Sequence, residues 1–94
     1  MRVNAKLKEI VPGYLERRRA DVEAISAALG TGDYASIGVL GHRMKGSGSG
    51  YGLNRITEIG DALEGAATAQ NSELDRELNR GLADLLESLS IVYD

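Results

Sequence analysis

Apolar residues recur at spacings of three and four along four successive stretches of this chain, and that rhythm constrains the fold more than any other feature. Leu15, Val22, Ile25 and Leu29 draw one stripe, and Ile37, Leu40, Gly41 and Met44 a second, headed by Tyr34. Leu53, Ile56, Ile59, Gly60, Leu63 and Ala67 make a third. Leu74, Leu78, Leu82, Leu85, Leu89 and Val92 make the fourth and most regular one. No run alternates apolar and polar residues long enough to suggest a half-buried strand.

The breaks between stripes carry helix punctuation. Pro12 suits the first turn of a helix, where its missing N–H is not needed. Gly30 and Gly32 end that helix, and Asp33 is placed to cap the next, its carboxylate accepting from free N–H groups. Asn71 or Ser72 can cap the fourth, with Glu73 and Asp75 in its first turn where the helix dipole favours them. The end of the second helix is blurred by Gly46, Gly48 and Gly50; allowing packing to outweigh propensity, it is expected to run to about Gly50. Val3, Leu7 and Ile10 suggest a short leading helix over residues 3 to 10, covering one end.

Connections this short make neighbouring helices antiparallel, so the expected fold is all-α, an up-down-up-down four-helix bundle. A length of 94 residues fits one domain over 1–94. With no Phe or Trp, the core is expected mainly from Leu, Ile, Val, Ala and Met.

Composition excludes several function classes. There is no cysteine, hence no disulfide, iron–sulfur cluster or thiolate zinc site, and the single histidine argues against a transition-metal enzyme. A formal net charge of -3 is the wrong sign for neutralising nucleic-acid phosphates. The local run Arg17-Arg18-Arg19 reads as a solvated face. No segment approaches the roughly 20 apolar residues of a membrane span, so the chain is expected to be soluble and cytoplasmic. The stretch Lys45 to Gly50 is glycine-rich, but its lysine precedes the glycines and no strand leads into it, which does not suit a phosphate-cradling loop.

The histidine is His42, and the second stripe places it. At about 100° per residue it lies one step beyond Gly41 and about 160° from Met44, on the flank or outside of the helix, facing water. Neutral imidazole is nucleophilic near pH 7. Lys45, one turn on, brings a cation that would favour the neutral ring and attract the oxygens of a phosphoryl group. Gly46, also one turn on, removes a side chain from the surface a partner must approach.

His42, Arg43, Met44, Lys45, Gly46 and Ser47, followed by Gly52, resemble the H-x-[LM]-K-G-[SA] signature of histidine-containing phosphotransfer (HPt) domains. Leu40-Gly41 before the histidine fits as well, and Gly60, Leu63, Glu64 and Ala67 resemble the family's G-x-x-L-E-x-x-A stretch. The likeness extends from about Tyr14 to Leu89. One departure is Gly48, with Ser49 and Gly50 after it, where many members carry a small residue with a Cβ; this suggests a looser helix end.

The resemblance implies that His42 is a phosphoacceptor, with Lys45 as electrostatic support, Gly46 as the opening for a partner and Ser47 as a small polar neighbour available for hydrogen bonding. The phosphate would sit on the outer ring nitrogen, Nε2. Partners would be the receiver domains of response regulators and of hybrid histidine kinases, which bring the Mg²⁺ and most of the catalysis. The chain would then be a phosphocarrier without a cofactor of its own, not an independent enzyme, and a monomer. Docking candidates on the second and third helices are Leu40, Arg43, Ser47, Ile37 and Asn54. A helical adaptor that binds partners without covalent chemistry would share this fold.

Overall fold

Pro12 occupies the first turn of the first long helix, α1 (Val11–Thr31), in a computed structural model that describes residues 2–89 and 91–93. Gly32 ends α1 in the left-handed conformation, φ 69°, where glycine carries no Cβ penalty. Asp33 then caps α2 (Tyr34–Ser47), its side chain accepting from the Ser36 N–H at 3.1 Å. A tight turn leads to α3 (Asn54–Thr68), and Asn71 caps α4 (Ser72–Ser88) by accepting from the Leu74 N–H.

The helices pack in a cycle, α1 on α2, α2 on α3, α3 on α4 and α4 on α1. This is the expected all-α four-helix bundle. Ile25, Ile37, Met44, Leu53, Ile56, Leu63 and Leu82 fill its interior, each at most 1% exposed. The centre of the first three stripes is therefore where their periodicity puts it.

The leading helix expected over residues 3 to 10 is replaced by less regular structure. Arg2–Val3 forms a short strand, β1, parallel to β2 (Val92–Tyr93), so the two ends of the described chain meet in a two-residue ladder. Val3 is buried there. Asn4 accepts from the Lys6 N–H, and this local bond commits the backbone to a single 3₁₀ turn, Ala5–Leu7. Val92, expected on the fourth helical stripe, lies in β2.

α2 stops at Ser47, short of Gly50, because its last groups find other partners. The Leu53 N–H bonds the Gly48 carbonyl at 2.9 Å, and the Thr57 hydroxyl of α3 accepts from the Ser49 N–H at 2.8 Å. Gly48 does not loosen this end. A Cβ there would lie 2.6 Å from the Thr57 backbone nitrogen and 2.9 Å from the Leu53 carbonyl oxygen, so glycine lets the start of α3 close onto α2.

The fourth stripe is rotated from its leucine pattern. Asp75, Asn79, Leu82 and Leu86 face inward, while Leu74 is 40% exposed. Asn79 explains part of this: its amide nitrogen donates to the Val22 carbonyl of α1 at 3.1 Å and ties α4 to α1, while its buried Oδ1 has no hydrogen-bond partner among the described residues.

The core also holds an aromatic residue that composition did not suggest. Tyr14 is 1% exposed, stacks on Tyr51 with ring centroids 4.1 Å apart, and shares a 2.8 Å hydrogen bond with the Ser47 hydroxyl. Arg18 lies over the Tyr14 ring, 4.5 Å from its centroid, and pairs with Asp21 at 2.7 Å. One member of the arginine run is thus a packed residue, not a solvated one. Burial pushes the Asp21 carboxyl up, and Arg18 opposes that shift.

Candidate functional site

The site is assembled where α2 and α3 cross, and glycine sets how closely they cross. A Cβ on Gly41 would stand 2.8 Å from the Gly60 carbonyl oxygen and from the Glu64 backbone nitrogen. A Cβ on Gly60 would stand 2.5 Å from the Lys45 nitrogen. Neither backbone could give way without parting the helices. The antiparallel register that follows pairs residues one turn apart: His42 with Glu64, Lys45 with Asp61, and the Lys45 carbonyl with the Thr57 hydroxyl.

His42 projects outward, its side chain 73% exposed, as its helical phase predicts. Its Nδ1 lies 2.9 Å from Glu64 Oε2. An ionised carboxylate has no proton to give, so Nδ1 donates. In the neutral ring that leaves the Nε2 lone pair unprotonated and available to attack an electrophile.

Lys45 Nζ lies 3.2 Å from Asp61 Oδ1 and 3.7 Å from Glu64 Oε1. The Asp61 hydrogen bond, then the charges of Asp61 and Glu64, hold the ammonium above its ordinary range. Glu64 is engaged on both oxygens, one to the imidazole and one to the ammonium. The local constellation is therefore one imidazole, one ammonium and two carboxylates.

Gly46 is exposed, and a Cβ built on it would meet nothing within 4 Å. A groove of ≈ 570 Å³ runs from His42 along the other side, lined by Tyr34, Gly38, Val39, Arg43, Ala67 and Thr68. Val39, at 51% exposure, forms an apolar ridge beside it. Arg43 lines both this groove and a second one beyond Val39, which half-buried Leu40 lines as well.

The structure thus brings His42, Lys45, Gly46 and Arg43 onto or beside one face, with Leu40 at its edge. Two of the docking candidates lie elsewhere. Ile37 is fully buried in the core, and the Ser47 hydroxyl turns to Tyr14 on α1. Asn54 is exposed at the start of α3.

Glu64 belongs to the G-x-x-L-E-x-x-A stretch, whereas Asp61 carries no motif of its own. Their signal was available: Asp61 and Glu64 stand one turn apart, as His42 and Lys45 do, and an antiparallel pairing of the two helices sets carboxylates against cations. What the sequence withheld was the register.

Residues 9–91 match the model of the Hpt domain family. The chain belongs to that family. As an Hpt domain it is a phosphotransfer module of two-component signalling, a carrier that works with receiver domains. Comparison of this Hpt domain with curated proteins and with solved structures gives no significant match. Among its described residues no helix is long and apolar enough to cross a membrane.

Proposed function

We propose that His42 accepts a phosphoryl group from the aspartyl phosphate of one receiver domain and passes it to another. The observation that carries this reading is the pairing of an exposed imidazole with Glu64 through Nδ1, 2.9 Å apart, which leaves Nε2 as the outward nucleophile.

In the accepting step the Nε2 lone pair forms the N–P bond while the aspartyl O–P bond breaks, its electrons returning to the receiver carboxylate. Nδ1 keeps its proton, and Glu64 faces the positive charge that develops on the ring. Lys45 supports the incoming phosphoryl oxygens. In the donating step the N–P bond breaks with its electron pair back on Nε2, and the same neutral tautomer is regenerated.

The receiver supplies Mg²⁺ and the acceptor carboxylate, so this chain acts as substrate and carrier and needs no cofactor of its own. Gly46 gives the receiver's active site room to descend, and the groove with its Val39 ridge gives the receiver an apolar surface to rest on.

The test is incubation with receiver domains charged by acetyl phosphate. Phosphate should appear on the chain in a form that is labile to acid and stable to base, and His42→Gln should abolish it. A chain that binds receivers yet never carries phosphate would be an adaptor.

A further inference from the structure

We propose that Asp61 holds Lys45 away from the phosphoryl group and thereby makes phosphorylated His42 a better donor than it would otherwise be. This rests on the reading of His42 as the phosphoacceptor.

Lys45 is the one cation within an ion-pair distance of the carboxylates beside His42 among the described residues, and Asp61 has the shorter hold on it, 3.2 Å against 3.7 Å for Glu64. The two carboxylates have different claims. Glu64 is half-buried and is tied to the His42 Nδ1–H, which persists when Nε2 carries phosphate. Asp61 is 66% exposed and stands one turn further from the ring, so its effect on the reaction runs through Lys45.

An anionic phosphoryl group on Nε2 adds a third negative group to a site with a single ammonium. To neutralise the phosphoryl oxygens, Lys45 must leave or share Asp61. That competition raises the energy of the phosphorylated state relative to the free one. Return of the group breaks the N–P bond with its electrons on Nε2, forms the O–P bond to a receiver aspartate, and restores the Lys45–Asp61 pair. Asp61 is therefore a positioning residue, and its consequence is a bias toward giving the phosphoryl group away.

The experiment measures the equilibrium between a receiver and this chain, using a receiver that exchanges phosphate with the wild type. Asp61→Asn should shift the equilibrium toward phosphorylated His42 by about threefold to tenfold, the scale expected of one exposed charge pair. Asp61→Glu should restore the wild-type value, and added salt should shrink the Asp61→Asn shift. In a Lys45→Met background the same Asp61→Asn change should move the equilibrium less than twofold. An unchanged equilibrium for Asp61→Asn in the wild-type background, with a retained thermal midpoint, overturns the proposal and leaves the role of His42 standing. Equal shifts with and without Lys45 also overturn it, since Asp61 would then act by plain repulsion. If no receiver labels the wild-type chain, the reading of His42 fails and this one with it.

Discussion

Gly41 and Gly60 face each other across α2 and α3 so closely that a Cβ on Gly60 would lie 2.6 Å from the Gly41 carbonyl oxygen. The same Cβ would lie 2.5 Å from the Lys45 nitrogen, so both obstructions are main chain. Ala is a better helix former than Gly by roughly 1 kcal/mol, but overpacking two backbones outweighs that gain. Gly60→Ala should cost about 2 kcal/mol net, lowering the thermal midpoint by about 10 °C in a domain of this size. Thermal unfolding followed by circular dichroism checks it; an unchanged midpoint would mean the crossing can open without loss.

Because that crossing sets the reach from Glu64 to His42, the carboxylate can be tested independently of the packing. Glu64→Ala removes the acceptor for Nδ1–H and with it the preference for the tautomer whose Nε2 is free. Phosphorylation by a charged receiver should slow by roughly tenfold, a moderate effect because the site is exposed. Nitrogen chemical shifts of the imidazole should show the Nδ1–H form losing population. A ring whose tautomer ratio is the same in Glu64→Ala and wild type would remove Glu64 from the mechanism.

The helices and the outward position of His42 could be read from the sequence because both depend on local periodicity, which residues 34 to 44 display plainly. Capping was equally legible at Asp33, where a short side chain bonds a backbone N–H three residues away. Contacts set by packing between segments were less so. Nothing in the pattern of α4 shows that Asp75 and Asn79 face inward in place of Leu74, since that rotation depends on a bond from Asn79 to the Val22 carbonyl, 57 residues away in the chain. Tyr14 and Ser47 meet across 33 residues for the same reason. The short ladder joining Arg2–Val3 to Val92–Tyr93 is likewise non-local, and two residues are too few to show a strand's alternation.

Gly46 separates stability from docking. It lies inside α2 with open space where a Cβ would go, so Gly46→Ala should stabilise the fold by roughly 0.5 to 1 kcal/mol through helix propensity. Gly46→Glu should also fold, since its side chain points into open space, yet it should slow receiver-dependent phosphorylation of His42 by at least tenfold. Both can be read from one set of melts and transfer assays. Wild-type transfer by Gly46→Glu would show that the receiver does not approach over this turn.

Asp75 predicts an unusual pH dependence. Its side chain is fully buried, neither carboxylate oxygen has a hydrogen-bond partner among the described residues, and burial pushes its carboxyl above the ordinary value of 3.8. The start of α4 favours a negative charge there through the helix dipole, but desolvation is the larger effect, as the upward direction shows. With the folded value above the unfolded one, the folded state binds more protons between the two, so this group's contribution to stability falls as pH rises through that window. It is fully present below pH 3.8 and lost above the raised folded value. Asp75→Asn removes the buried charge and should raise stability at pH 7 by about 1 kcal/mol, a gain that disappears on acidification to the ordinary carboxylate value. Chemical denaturation of wild type and variant across pH 3 to 8 measures the difference directly. A gap that stays constant with pH would show that the charge on Asp75 is not what destabilises the fold.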